Sequence, residues 1–121
     1  MSFERSLSIK DDMQAEINKE ARALSLNILR LLVKQTPVDT GRARGNWFVG
    51  LNSPARTSNP DRRSSTALTE GANKIALAKQ QAYPVINISN NLPYIEKLNQ
   101  GSSKQAPTNF VDLTIQRVIN Q

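Results

Sequence analysis

Residues 11–34 read DDMQAEINKEARALSLNILRLLVK, and the apolar side chains among them recur every three or four positions. This spacing places them on one face of an α-helix: Met13, Ile17, Ala21, Leu24, Ile28, Leu31 and Leu32. Acidic side chains lie toward the start of the segment and basic ones at its end, an order that suits the helix macrodipole. The pattern predicts a long N-terminal amphipathic helix, which either Ser8 or Asp11 can cap.

The segment after this helix is predicted to turn the chain into a strand. Pro37 ends the helix, because the residue before a proline is pushed out of the helical region. Residues 37–41, PVDTG, have strong turn chemistry, with Gly41 as the natural site for a positive φ angle. Residues 47–51, WFVGL, are rich in aromatic and branched side chains and predict a short strand, at whose start Gly45 allows close packing.

The middle of the chain alternates between polar and periodic segments. Residues 52–65, NSPARTSNPDRRSS, hold two prolines and three arginines among small polar residues, which predicts an extended arm or loop and not a core element. Residues 66–80 keep a helical spacing and predict a second helix, with Gly71 as its weak point. Residues 83–89, YPVINIS, alternate as a half-buried strand does, and Pro84 places its start at a sheet edge.

The C-terminal part is predicted to be helical again. Residues 92–98 predict a short helical turn that Gly101 ends, and apolar spacing from Thr108 onward predicts an amphipathic helix capped by Thr108 or Asn109. The elements together predict a single α+β domain over residues 1–121. Its long N-terminal and C-terminal amphipathic helices are expected to pack on a small, mainly antiparallel sheet.

Composition limits the chemistry that the chain can perform. The 121 residues include no cysteine and no histidine, which excludes disulfides, thiolate nucleophiles, imidazole bases and the usual zinc and transition-metal ligands. The acidic residues outside the terminal helices match no acid–base pair, metal loop or nuclease motif: Asp39, Asp61, Glu70 and Glu96. We therefore expect no enzyme activity, no cofactor and no metal.

The sequence also carries no membrane signal. Residues 1–12, MSFERSLSIKDD, lack the continuous apolar run of a secretory signal, and no later window reaches membrane-spanning length. We expect a protein made in the cytoplasm, without a membrane partner.

The net charge of +6 is concentrated in one interval. Residues 42–63 hold a single aspartate, Asp61, and five arginines, a balance of +4: Arg42, Arg44, Arg56, Arg62 and Arg63. The forked donors of arginine suit the recognition of phosphate or carboxylate groups. Two interpretations stay open. In the first, the arginines contact an acidic partner or nucleic acid. In the second, they lie on a solvated loop and form salt bridges to a neighbour.

A small basic nucleic-acid-binding protein is the alternative function. Such proteins interleave basic groups with exposed aromatic side chains, or use a helix-turn-helix, RNA-recognition or zinc-finger pattern, and the sequence has none of these. Trp47 and Phe48 lie in a strand candidate, where packing is the commoner use. A non-specific contact with phosphates stays open.

Two segments, taken together, resemble a known family. Residues 36–47, TPVDTGRARGNW, follow a long amphipathic helix, and residues 88–107, ISNNLPYIEKLNQGSSKQAP, precede a C-terminal helix. In this order they resemble the neck or tail-completion proteins of tailed bacteriophages, also described as minor tail or head-tail joining proteins. The resemblance covers both motifs closely and the rest of the chain loosely.

The resemblance implies a structural virion protein without catalysis, assembled in the host cytoplasm and located in the neck or tail of the virion. It implies an α+β subunit that forms a hexameric or dodecameric ring next to the tail terminator, tail tube or head-tail connector proteins. The family motifs would shape the subunit through Pro37, Asp39, Thr40, Gly41, Trp47, Asn91, Pro93, Tyr94 and Gly101. The arm at residues 52–65 shows no family pattern, and our hypothesis is that the arginines contact an acidic neighbouring subunit or packaged DNA.

Overall fold

The computed structural model describes residues 2–37, 42–92, 95–100 and 109–120, with residues 2–12 and 97–98 described by their backbone alone. The elements in this part of the chain are α1 (Ser2–Gln35), α2 (Arg42–Gly45), β1 (Trp47–Leu51), α3 (Ser64–Leu77), a 3₁₀ turn (Ala78–Gln80), β2 (Ile86–Asn90), α4 (Ile95–Asn99) and α5 (Phe110–Ile119). The α+β class is confirmed, with a long helix first, a short helix last and a small antiparallel sheet between them.

The sheet consists of the two predicted strands. β1 and β2 pair antiparallel, with Trp47 opposite Asn90 at one end and Leu51 opposite Ile86 at the other. β2 begins at Ile86, three residues after the predicted start, so Pro84 precedes the strand and does not belong to it. Asn52 closes the open end of the pair, because its backbone N–H donates to the Val85 carbonyl at 2.7 Å and its Oδ1 accepts from the Val85 N–H at 3.1 Å.

The core lies where α1, α3 and the sheet meet. Its buried side chains come from all three elements: Leu29, Leu32, Val33, Trp47, Val49, Ala67 and Ile75. α3 comes closest to its neighbours at Gly71, where a Cβ atom would overlap Leu29 Cδ2 and lie 3.2 Å from Val49 Cγ2. Gly71 lowers helix propensity, as expected, and it also allows α3 to lie directly on α1 and β1.

The buried face of α1 differs from the apolar face expected for it. Leu29 and Leu32 are buried, but Met13, Ile17 and Leu24 are exposed. The first half of α1 instead turns two polar side chains inward, Asn18 and, in part, Arg22. The N-terminal caps were also predicted wrongly, because α1 starts at Ser2 and runs through positions 8 and 11.

Asn18 is the more deeply buried of the two, and only 5% of it is exposed. Its Nδ2 donates to the Ala78 and Gln81 carbonyls at 2.9 and 2.6 Å, and its Oδ1 accepts from Arg22 Nε at 2.7 Å. A buried amide with both ends paired costs little to bury. This amide therefore fastens the first half of α1 to the 3₁₀ turn that follows α3 and to the residue after it.

The segment predicted as an extended arm or loop is a loop, and it packs on the body of the protein. Ser64 and Ser65 already belong to α3, so the loop ends at residue 63. Ser89 Oγ on β2 donates to the Ala55 carbonyl at 3.1 Å, and Asn46 accepts from the Asn59 N–H through Oδ1 at 2.8 Å. The expectation of an extended element outside the core is wrong for Arg62, which is buried.

α5 packs against α1. It begins at Phe110, with Asn109 at the N-cap in a left-handed conformation but without a capping bond from its own side chain. Asn99 of α4 supplies that bond instead, since its Oδ1 accepts from the Val111 N–H at 2.9 Å. The predicted cap position at Asn109 is thus right in place, while the capping side chain comes from another element. The other predicted cap, Thr108, and the predicted turn end at Gly101 lie outside the described residues.

Candidate assembly surface and arginine cluster

Arg62 is a structural residue inside the molecule. Its Nη1 donates to the Gly45 and Trp47 carbonyls at 3.1 and 2.7 Å, and its Nη2 pairs with Glu70 at 2.8 Å. Its Cζ lies 3.8 Å from the centre of the Phe48 ring, a stacked cation–π geometry. Its Nε is buried without an acceptor in the described part of the chain. The guanidinium therefore holds α2, β1 and α3 together.

Arg44 is also used within the chain. Its Nε donates to the Thr36 carbonyl at 2.6 Å and its Nη2 to the Lys34 carbonyl at 2.9 Å. The last carbonyl groups of a helix have no partner within the helix, and a cation there also opposes the negative end of the dipole. Arg44 therefore caps the C-terminus of α1.

The other three arginines are exposed and lie on different elements. Arg42 starts α2, Arg56 lies in the loop at residues 52–63, and Arg63 is the N-cap residue of α3. Arg63 lines a cleft of about 520 Å³ together with Arg62, Asp61 and other polar side chains. Of the five arginines, Arg62 is thus buried, Arg44 is half-buried and bonded to backbone carbonyls, and the other three are exposed. Their sequence clustering does not make one continuous basic patch.

The described residues of the segment 36–47 are joined to one another by hydrogen bonds. Thr36 and Pro37 are buried at the end of α1, and Trp47 Nε1 donates to Thr36 Oγ1 at 2.8 Å. Arg44 binds the Thr36 carbonyl as well, so two residues from the later part of the segment bond back to its first residue. The predicted turn residues Asp39, Thr40 and Gly41 lie outside the described residues.

The described residues of the second motif join β2 to the loop. Asn91 Nδ2 donates to the Ala55 and Thr57 carbonyls at 2.8 and 3.0 Å. Asn90 Nδ2 donates to the Ala43 carbonyl at 2.9 Å. Pro93, Tyr94 and Gly101 lie outside the described residues. Both motifs therefore contribute architecture wherever the structure describes them.

The first half of α1 presents an uncovered apolar surface. Met13, Ile17 and Leu24 are 60, 53 and 41% exposed, and we call these three side chains the open face of α1. Glu16 and Glu20 are exposed next to it. Glu20 comes three residues after Ile17 and four before Leu24, so it shares their side of the helix. The open face is thus apolar with an acidic edge.

α5 presents a smaller apolar surface, which has a basic side chain at its edge where the open face has acidic ones. Leu113 is half exposed, and Arg117, four residues later on the same side of α5, is exposed as well. Both side chains line a cavity of about 300 Å³ with Gln35 at the end of α1. We call Leu113 and Arg117 the outer edge of α5.

Sequence reasoning missed the asparagines that organise this architecture. Asn18, Asn46 and Asn99 each bond the backbone of a segment that is distant in sequence. The one available signal was Asn18, a polar residue within a long amphipathic pattern. The exposure of the open face was also missed, because periodicity identifies an apolar face without identifying what covers it.

Two further observations concern the described residues. None of their helices combines the length and the apolar character that crossing a membrane requires. Within the same part of the chain, no group of three or more acidic side chains is placed to hold a metal ion. Comparisons of the chain with protein-family models, with characterised proteins and with solved structures found no match.

Proposed function

We propose that this chain is a structural subunit of a tailed-bacteriophage virion. It forms a ring at the neck or at the top of the tail, where it completes the tail and joins it to the head. The observation that carries the proposal is the open face of α1, where three large apolar side chains lie uncovered on one helix. Contiguous exposed apolar side chains mark sites of interaction with other proteins.

The two family motifs support the choice of assembly. Each motif folds back on the body of the subunit, the first through Thr36 and Trp47 and the second through Asn91. Such residues give a subunit a fixed shape. A ring needs subunits of fixed shape, because the rotation from each subunit to the next must return to the first subunit. The neighbours that the resemblance implies are the tail terminator, the tail tube or the head-tail connector.

The exposed arginines fit a contact with an acidic neighbour or with packaged DNA. Arg56 and Arg63 are exposed, and both lie in or next to the loop at residues 52–63. Arg44 and Arg62 do not take part in this contact, because each is bonded within the chain. The alternative, a nucleic-acid-binding protein, loses the same two residues from its basic surface. Salt-dependent retardation of duplex DNA by the isolated protein would favour that alternative.

Electron microscopy of lysates tests the proposal. Cells infected by a phage that lacks this gene are expected to yield filled heads and tails that remain separate. Expression of the wild-type chain in the host should restore joined virions. Normal virions from the phage without the gene would refute the joining role.

A further inference from the structure

We infer that the open face of α1 in one copy binds the outer edge of α5 in the next copy of this chain. This inference rests on the proposed function and names the surfaces through which the ring closes. Three observations support a second copy as the occupant: the way α5 already packs on α1, the lengths of the two helices, and their charges.

The first observation is that α5 packs on α1 in the same molecule and lies near Gln35, at the C-terminal end of the line that continues the open face. Ile17 and Gln35 are 18 residues apart, which is about five turns of helix, so both lie along the same line of α1. Gln35 lies beside Leu113 and Arg117 of α5 in the same molecule. Within one copy, α5 therefore meets this side of α1 only at the C-terminal end, and its outer edge stays exposed there.

The second observation is the difference in length between the helices. α1 has 34 residues and α5 has 10, which correspond to about 51 and 15 Å. One α5 cannot cover the whole side of α1. The open face begins about three turns before Gln35, counted from Leu24, and is free to receive a second α5.

The third observation is charge complementarity. Glu16 and Glu20 edge the open face, whereas Arg117 stands next to Leu113 on the outer edge of α5. Bringing the two surfaces together places an acidic side chain of α1 next to the Arg117 guanidinium, and Leu113 next to the apolar side chains of the open face. Pairing two open faces with each other would instead place acidic edges close together.

The contact joins two different surfaces, so each copy uses one surface on each side. Such head-to-tail contacts produce closed rings when the rotation closes, and filaments when it does not. A ring subunit requires this type of contact. The inferred pair of surfaces supplies it without any other protein.

Disulfide trapping tests the contact directly, because the chain contains no cysteine of its own. The full-length chain would carry Glu20→Cys together with Arg117→Cys and be oxidised under mild conditions. Residues 20 and 35 lie about 22 Å apart along α1, so a cysteine beside Gln35 cannot reach residue 20 of the same copy. A ladder of dimers, trimers and higher species on non-reducing gels is expected.

The control variants separate the outcomes. Glu20→Cys alone and Arg117→Cys alone should stay monomeric after oxidation, and so should Lys74→Cys with Arg117→Cys, because Lys74 is exposed on α3 away from the open face. Efficient dimers from Glu20→Cys alone would show that α1 pairs with α1 and would overturn the inference. Absence of a ladder from the double variant would overturn it as well.

A charge-reversal experiment provides a second measurement. Glu20→Arg and Arg117→Glu should each weaken association by about tenfold in sedimentation experiments, and the double variant should recover most of the loss. Loss without recovery would contradict the pairing of these two residues. The lysate experiment with the wild-type gene tests the proposed function separately, so a failed contact and a failed function give different results.

Discussion

The Arg62 guanidinium bonds two backbone carbonyls, stacks on Phe48 and pairs with Glu70, all within a side chain that is only 6% exposed. At the scale of single residues, this geometry shows that a charged side chain is not necessarily available to bind a partner. Arg63, its neighbour in sequence, is exposed at the start of α3. Two adjacent arginines thus have opposite uses, and only the structure distinguishes them.

Replacement of Arg62 should destabilise the fold strongly. Arg62→Met leaves the Gly45 and Trp47 carbonyls without their donor, and we expect the free energy of unfolding to fall by about 2–4 kcal/mol. Urea denaturation followed by circular dichroism measures this loss. Arg63→Met is the matched control and should change stability by less than about 0.5 kcal/mol. Equal losses in the two variants would contradict the structural role of Arg62.

The Glu70 partner should matter much less than Arg62. Its side chain is 63% exposed, so water replaces most of what the ion pair contributes. Glu70→Gln should lower stability by about 1 kcal/mol or less in the same denaturation experiment. A loss as large as that of Arg62→Met would show that the ion pair, and not the carbonyl bonds, dominates.

Gly71 offers a test of the close helix packing. In an ordinary helix, glycine to alanine stabilises by about 1 kcal/mol, but here the new Cβ atom would overlap Leu29. Gly71→Ala should therefore destabilise by about 1–3 kcal/mol. Leu29→Val removes the Cδ atoms that the methyl group meets. In a double-mutant cycle the combined loss should be smaller than the sum of the two single losses, and simple additivity would contradict the contact.

At the scale of elements, the sequence predicted existence and type well. The long helix, both strands, the middle helix and the C-terminal helix were all predicted, because apolar spacing and turn residues are local signals. The face that α1 buries was not predicted in its first half. That face depends on Asn18 meeting carbonyls 60 or more residues away, a contact that no local pattern encodes.

The candidate site was predicted in the same partial way. The arginine cluster was visible in the sequence, but the internal use of Arg44 and Arg62 depends on carbonyls from other elements. The apolar line of α1 was also visible, but its exposure on the first half of the helix depends on which elements pack there. The spacing of residues along the sequence shows neither the bonding partners of these arginines nor the exposure of the apolar line.

Asn18 should control how firmly the first half of α1 is attached. Asn18→Ala removes the bonds to the Ala78 and Gln81 carbonyls and should cost about 1–3 kcal/mol. Amide hydrogen exchange in the 3₁₀ turn and in the first half of α1 should become faster. Asn27→Ala is the control, because Asn27 is exposed on the same helix. Unchanged exchange in Asn18→Ala would mean that other contacts hold this half in place.

At the scale of the whole molecule, the open face of α1 should be required for assembly and not for folding. Ile17→Glu with Leu24→Glu replaces two exposed apolar side chains, so thermal stability should stay close to wild type. The same variant should fail to restore joined virions in cells infected by the phage without the gene. Leu77→Glu, exposed to a similar degree on α3, is the control and should restore them. Restoration by the double variant would exclude the open face from assembly.

The molecule as a whole combines a hydrogen-bonded interior with exposed apolar side chains on its surface. Buried Asn18, Asn46 and Arg62, together with half-buried Arg44, fix its elements, while apolar side chains remain exposed on α1 and α5. Such a division suits a protein whose final state is an assembly. The most direct measurement is the copy number of this chain in purified virions, determined by quantitative mass spectrometry. Electron microscopy of virions labelled with an antibody against this chain gives its location. We predict a fixed copy number that matches a hexameric or dodecameric ring, located at the neck or the top of the tail. Virions that are complete and infectious without this chain would contradict the proposed function.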